Sequence, residues 1–362
     1  MAEIVTKNLV KQFGHFTAVK DTNLHVKDGE FFVLLGSSGC GKTTTLRMIA
    51  GLEFPTHGRI FLDGIDVTGL RASQRDIAFV FQLFALYPHM NVEKNIGYPL
   101  KTQKVPKTEI RRRVREVAAM LHLEHILKSN VSGLSGGDRQ RVALGRAIIR
   151  RPKAFLMDEP LGALDAEFRE RMCTELKKLH TDIGATTIYV THDQNEAMAM
   201  GDRICVMDRG SVLQADDPLV LYSKPKTMFV ANFIGSPAMN FLPIHSPIEK
   251  GARCVSINGC RVEIPQCHEN SHTDFNHLGV RPENIEIVEA GNGGFEGRIY
   301  GVEYLGSRKI VTVDTEIGKV KLRAPNDISV RIRDNVCLKF DSRQLIVFNG
   351  DDGRAIKSAF MR

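Results

Sequence analysis

Eight residues, GSSGCGKT from Gly36 to Thr43, constrain this chain more than any other stretch. They fit the pattern G-x-x-x-x-G-K-[ST], and they lie between an apolar run, Phe31 to Leu35, and a helix-forming stretch, Lys42 to Ala50. A strand that turns into a helix through glycines aims several backbone N–H groups into one small space. The positive end of the helix dipole stands behind them. That space suits a polyphosphate. Gly36, Ser37, Ser38, Gly39, Cys40, Gly41, Lys42, Thr43 and Thr44 are therefore the candidate nucleotide-binding residues. The Lys42 ammonium is expected to reach the β- and γ-phosphates, and the Thr43 hydroxyl to coordinate Mg²⁺. A glycine-rich turn without a ligand is the competing account, and the strand–turn–helix context stands against it. Cys40 reads either as an alkylation-sensitive thiol or as an inert small residue, and the inert reading is the simpler.

Three further segments carry chemistry. AFLMDEP (Ala154 to Pro160) is an apolar strand that delivers Asp158 and Glu159 to one edge. Asp158 is the expected further partner of Mg²⁺, and Glu159 is placed to polarise the attacking water, because phosphoryl transfer depends mostly on positioning and charge neutralisation. Alone, such a pair reads as a structural strand cap; beside GSSGCGKT it does not. LSGGDRQR (Leu134 to Arg141) puts Ser135, Gly136 and Gly137 ahead of a helical run, Asp138 to Arg150, with Ser135 as the N-cap. By itself that is only a well-capped helix. THDQ (Thr191 to Gln194) follows the apolar strand Thr187 to Val190.

Apolar strands with functional residues at their C-terminal ends imply a mostly parallel, helix-covered sheet. Between Phe79 and Leu134 the pattern turns to helices and loops, consistent with a helical insertion over about residues 83–150. A helix is expected from Lys107 to Leu127, with Ile110, Val114, Val117, Leu121 and His125 as its apolar stripe. Past Gly235 helical periodicity fades into short alternating runs such as Gly297 to Val302, Lys309 to Val313 and Val336 to Phe340. The expected architecture is thus an α/β nucleotide-binding domain over residues 1–235, followed by a small all-β barrel or sandwich over residues 236–362.

Composition sets bounds on function. With 362 residues, 43% hydrophobic and 25% charged, the chain suffices for about two globular domains. Its longest apolar runs fall far short of the roughly 18 residues that span a bilayer, and its first residues lack the layout of a signal peptide. The expectation is a cytosolic protein. Seven cysteines point to free thiols in a reducing compartment. Cys254, Cys260, Cys267, His268 and His272 crowd together, yet no pair has CxxC spacing, so a zinc site is not expected there. The formal charge of +7 includes a basic run, Arg111, Arg112, Arg113 and Arg115, that reads as a solvated helix face. Nucleic-acid binding needs more than net charge, and none is expected.

In this order and spacing the four segments resemble the ATP-binding subunits of ABC transporters. The resemblance extends along the chain through LYPHM (Leu86 to Met90), THDQNEAM, FIGSPAMNF (Phe233 to Phe241) and GVRPENI (Gly279 to Ile285), which look like importer ATPases of the maltose and glycerol-3-phosphate type. It implies a P-loop motor domain with a helical subdomain and an OB-like, TOBE-type C-terminal domain that holds the dimer or receives regulators. It implies that ATP is held between two motors, with Ser135, Gly136 and Gly137 of one meeting the γ-phosphate held by the other. His192 matches the family's γ-phosphate-sensing histidine. Gln82 matches the glutamine that contacts Mg²⁺ and the water, Asp165 the loop that crosses the dimer interface, and Phe13 the aromatic that stacks on adenine, though an ordinary core Phe is a fair rival. The implied catalytic set is Glu159, His192, Gln82 and Lys42. The implied partners are a second motor (identical or a sister chain), two transmembrane permease subunits and an extracytoplasmic solute-binding protein. The implied location is peripheral, on the cytoplasmic face of the cell membrane.

The chain also departs from the family. Asp138 stands where a glutamine is more usual, adding negative charge at a helix N-terminus, and is expected to leave Ser135 and Gly137 in place. Leu83 and Phe84 stand where relatives often carry a polar residue and Tyr. The favoured cargo is a carbohydrate or a glycerol-phosphate-like solute. Polyamine, sulfate or metal-chelate cargo, a non-transport ABC ATPase and a regulatory protein remain alternatives.

Overall fold

The computed structural model describes residues 2–82, 85–162, 164–288 and 294–361. Leu83 and Phe84, singled out above, lie outside the described residues. The chain divides into two compact units, Met1–Pro218 and Leu219–Arg362.

In the first unit, β1 (Ile4–Phe13) and β2 (Phe16–Val26) form a hairpin that continues through β4 (His57–Leu62) and β5 (Ile65–Asp66) as an antiparallel sheet; β3 (Phe31–Gly36) and α1 (Lys42–Ala50) come between them in sequence. β6 (Ile77–Val80) leads into α2 (Val92–Thr102), α3 (Lys107–Met120) and α4 (Gly136–Ile148), which make up the helical insertion. The chain then alternates through β7 (Ala154–Asp158), α5 (Ala166–Ile183), β8 (Thr186–Thr191), α6 (Gln194–Met200), β9 (Arg203–Asp208) and β10 (Ser211–Asp216).

The second sheet has the order β10-β9-β3-β8-β7-β6. Every pairing in it is parallel except β10 with β9. β3, β7 and β8 are buried at every position. This explains why they read as unbroken apolar runs rather than alternating ones: helices or the first sheet cover both faces. Phe32, Leu34, Leu46, Ile49, Leu156 and Ile188 share the core beneath α1. Leu35 pairs with Thr191 and Asp158 with Val190, so the C-terminal ends of β3, β7 and β8 finish level on one edge.

The helix expected over 107–127 ends at Met120. His122 takes a positive φ of 55°, which breaks the helix, and Leu123 closes back on Ala118. Ile110, Val114, Val117 and Leu121 face inward as expected, whereas His125 lies in a 3-10 turn and is exposed. The arginine run on α3 is partly self-neutralised. Arg112 pairs with Glu109 at 2.6 Å and with Glu116 at 2.5 Å, and Arg113 pairs with Glu109 at 2.6 Å. These bonds hold the Glu109 carboxyl down to about 2.

The second unit opens at Leu219 within α7 (Pro218–Ser223) and continues through α8 (Met228–Phe233), both of which the sequence reading assigns to residues 1–235. Their attachment is Arg281, which is 3% exposed and donates to the Tyr222, Ala231 and Ile234 carbonyls at 2.6–3.1 Å. A buried guanidinium needs such acceptors, and here it caps the C-terminal ends of both helices. The remainder is β11 (Asn240–Ile244), β12 (Cys254–Ile257), β13 (Cys260–Glu263), β14 (Asn276–Val280), β15 (Ile285–Val288), β16 (Phe295–Leu305), β17 (Arg308–Thr315), β18 (Gly318–Pro325), β19 (Asn335–Phe340) and β20 (Ile346–Asn349). They form sheets of order β11-β14-β20, β12-β13 and β15-β19-β16-β17-β18. Their inward residues, among them Leu278, Val311, Val313, Val320 and Leu338, make one core.

Candidate active site

The loop between β3 and α1 wraps a buried cation. Lys42 is 4% exposed, and its Nζ donates to the Gly36 and Ser37 carbonyls at 2.9 Å each and to Cys40 Sγ at 3.8 Å. Ser37, Ser38 and Gly39 form the exposed crest. Gly41 closes the loop at φ 105°, and a Cβ there would come within 2.6 Å of the Ala18 carbonyl on β2. A side chain at this position is therefore excluded both by its dihedral and by the backbone beside it. α1 has no side-chain cap, which leaves its first N–H groups to the loop. Cys40 is buried, and burial pushes its thiol above its ordinary value despite Lys42. It behaves as a packed small residue.

From β7, Asp158 accepts a hydrogen bond from Thr43 Oγ1 at 2.8 Å. Asp158 is 6% exposed, and desolvation raises its carboxyl above the ordinary range, only partly opposed by the Thr43 bond and by Arg47. A buried carboxylate beside a hydroxyl is a hard-oxygen donor pair that fits Mg²⁺, and the buried ammonium nearby suits the polyphosphate that would carry it.

Glu159, next in sequence, adopts φ 43°, donates its N–H to the Val190 carbonyl at 3.1 Å and turns its side chain to His192. Its Oε2 lies 3.2 Å from His192 Nδ1. With the carboxylate ionised, Nδ1–H is the donor, which leaves Nε2 facing outward as an acceptor. His192 is mostly exposed, and Glu159 is largely covered. Gln82 is exposed two residues past β6, whose C-terminal end lies on the same sheet edge because β6 and β7 are parallel. Phe13 ends β1 opposite Phe16, 48% exposed, with Lys11 Nζ 4.8 Å from its ring centroid.

Ser135 caps α4 as expected, accepting from Asp138 N at 3.2 Å. Its hydroxyl also donates to Asp138 Oδ2 at 2.7 Å, and Asp138 Oδ1 pairs with Arg141 at 3.0 Å. Asp138 therefore leaves Ser135 in place but engages its hydroxyl. A Cβ on Gly137 would fall 2.0 Å from Phe168 Cζ, so glycine there lets α5 approach. Asp165 caps α5, accepting from Phe168 N at 2.9 Å.

The structure thus joins Thr43 with Asp158, Glu159 with His192, and the Ser135–Gly137 turn with the Asp165 cap. Gln82 and Phe13 stand apart from these contacts. The sequence reading missed Arg169, Asp193 and Glu196, which lie directly behind His192. Arg169 reaches Asp193 Oδ2 at 3.3 Å and Glu196 Oε1 at 3.5 Å. Glu196 Oε2 accepts from Tyr189 at 2.8 Å and Thr191 at 2.7 Å, and burial raises its carboxyl above the usual value. Arg169 stands four residues past Asp165, and Asp193 and Glu196 lie inside THDQNEAM, so the segments already read run beside or through all three.

Residues 19–162 match the ABC transporter family model and residues 278–348 the TOBE domain model. The trehalose/maltose import ATP-binding protein MalK of Thermococcus litoralis is 45% identical, the match covering 98% of this chain and 100% of that protein. The sn-glycerol-3-phosphate import ATP-binding protein UgpC of Brucella abortus is 42% identical over 98% of this chain and 99% of its own length. Among solved structures, the dimeric post-hydrolysis state of the ATP-binding cassette MJ0796 bound to ADP and Pi matches with a TM-score of 0.54 and 35% identity. That match covers 59% of this chain and 98% of the other.

Proposed function

This chain belongs to the ABC transporter ATP-binding proteins, and we propose from the geometry of its site how it drives import. It is an ATPase and the motor subunit of an importer. Importer motors of this family dimerise and pair with permease subunits.

In our reading Lys42 exchanges the Gly36 and Ser37 carbonyls for β- and γ-phosphate oxygens, while the loop N–H groups and the start of α1 complete the cradle. Thr43 and Asp158, with Gln82 from the neighbouring strand end, would hold Mg²⁺. Bound there, the ion supplies charge neutralisation on the phosphate oxygens. Glu159 takes up proton density from the attacking water, and His192, fixed by its Nδ1–H to Glu159, presents Nε2 toward the γ-phosphate side. Phe13 offers its exposed ring to the base. Ser135, Gly136 and Gly137 complete the site of a second motor, and Asp165 lies on the same contact. The observation that carries this reading is the Glu159–His192 contact on the sheet edge that also bears the Thr43–Asp158 pair.

The names of the relatives favour a carbohydrate or glycerol-phosphate-like cargo, delivered by an extracytoplasmic binding protein. Among the described residues no helix is long and apolar enough to cross a membrane, so the pore belongs to the permease chains. The motor then sits peripherally on the cytoplasmic face. The test is Mg²⁺-dependent ATPase activity of the complex co-purified with its permeases and reconstituted in lipid, with candidate solutes on the binding protein. Stimulation by one sugar or polyol phosphate supports the reading. Activity that co-purifies with ribosomes or DNA instead of permeases overturns it.

A further inference from the structure

Behind the catalytic edge, a closed circuit of contacts runs through Arg169. Glu159 Oε2 meets His192 Nδ1 at 3.2 Å. The next residue, Asp193, meets Arg169 Nη1 through Oδ2 at 3.3 Å. Arg169 Nη2 donates to the Leu164 carbonyl at 2.8 Å, and Leu164 N–H donates to the Leu161 carbonyl at 3.1 Å. Gly162 N–H returns the circuit to the Glu159 carbonyl at 3.3 Å. One half of this ring carries the catalytic pair. The other half, through Gly162 and Leu164, lies beside the Asp165 cap, and Leu164 and Phe168 lie against Gly136 and Gly137. Arg169 joins the halves.

The joint is built to hold direction. Arg169 is about two-thirds covered, and its Nε lies 3.5 Å from Glu196 Oε1, an ion pair without a hydrogen bond. Glu196 in turn grips the end of β8 through Tyr189 and Thr191, and Thr191 Oγ1 accepts from Asp193 N–H at 3.0 Å. Asp193 is thus held from both sides, by its own strand and by α5. His192, immediately before it, is exposed, and its side chain bonds to Glu159. The orientation of its ring therefore depends on where Asp193 is pinned.

We propose that Arg169 is a positioning residue for hydrolysis: it sets His192 against Glu159 and ties that pair to Leu164 and the Asp165 cap, so that contact with the second motor and alignment of the catalytic pair move together. The proposal rests on the ATPase reading above. Arg169 touches no substrate in it, since its three nitrogens are directed to Asp193, Glu196 and the Leu164 carbonyl.

The test compares R169M, R169K, D193N and R169M/D193N with wild type in the full-length chain co-purified with its permeases. ATPase rate, nucleotide affinity by a fluorescent ATP analogue, and folded fraction by circular dichroism are measured on the same samples. Misplacement of a reacting group by about 1 Å costs roughly 10²-fold in rate, so R169M is expected to lower kcat at least about tenfold while nucleotide affinity stays within about twofold. R169K, which keeps the charge but not the three-way fork, is expected to recover part of the rate. D193N removes the same link, so the double variant is expected to be no slower than the worse single one. Wild-type kcat in R169M, a loss that tracks the unfolded fraction, weakened nucleotide binding of equal size, or multiplying losses in the double variant would each overturn the proposal. An inactive wild-type complex counts instead against the ATPase reading.

Discussion

Replacing Arg75 by Met is expected to loosen the far end of the helix that carries Lys42 and Thr43. Arg75 is 1% exposed, and burial pulls its guanidinium below the usual value. It donates to the Met48 and Ile49 carbonyls at 2.7 and 2.8 Å, both in the last turn of α1, and to Leu70 and Thr68 at 3.0 and 3.1 Å. Gly51 N–H also serves Met48 at 3.1 Å, so the other three carbonyls lose the more. Carbonyls left dry cost about 1–3 kcal/mol each, offset in part because the desolvated guanidinium itself is gone. A net loss of about 3–5 kcal/mol follows, the range for breaking a buried charged contact from one side. For a unit of this size each kcal/mol is worth about 2–4 °C, so the Tm of the first unit is expected to fall by about 6–20 °C. R75K, which restores the charge and a subset of the bonds, should fall in between. The assay is thermal unfolding followed by circular dichroism, with urea melts for ΔG. A change below about 1 kcal/mol in R75M would refute the claim that this guanidinium fastens α1.

Two further outcomes concern the site itself. Asp138 puts a carboxylate 2.7 Å from the Ser135 hydroxyl, where an anionic phosphate is expected to arrive. D138N should therefore lower the ATP concentration for half-maximal hydrolysis, by about three- to tenfold for a screened charge contact of about 1 kcal/mol; an unchanged or raised value contradicts that arrangement. Asp158 is held above its ordinary value by burial, so its ionisation opposes folding: its contribution is full below its unfolded value of 3.8 and is lost as pH rises through the folded one. The stability of D158N relative to wild type, from urea melts, should accordingly grow as pH rises out of the acid range, while nucleotide binding with Mg²⁺ weakens. A difference that shrinks with rising pH would refute the sign.

The parts of the site that the sequence makes legible are those where one residue type does one job at fixed spacing. GSSGCGKT needs its glycines because Gly41 sits at φ 105° against the Ala18 carbonyl, and that need survives as a pattern. Asp158, Glu159 and His192 are legible because unbroken apolar strands point at them and a parallel sheet brings strand ends to one edge. The buried arginines are not legible. Nothing in the sequence beside Arg75 or Arg281 marks it as buried, yet each is covered because it donates to carbonyls near helix ends distant in the chain. Arg169 and Asp193 are 24 positions apart, and only the crossover from α5 to β8 and α6 brings them together. The attachment of α7 and α8 to the second unit has the same origin, since the bonds from Arg281 that hold them run from a residue 47–59 positions downstream. His125 failed as a core position because the left-handed backbone at His122 ends the helix, which periodicity alone does not register.

The central claim is that Glu159, set by His192, drives hydrolysis of ATP held by Lys42, Thr43 and Asp158. Glu159→Gln keeps the size of the side chain and removes its ability to take a proton from water. In the reconstituted complex, E159Q is predicted to bind ATP with near wild-type affinity while steady-state phosphate release falls by about 10²-fold or more. Steady-state hydrolysis by E159Q at a rate close to wild type would contradict the account at its root.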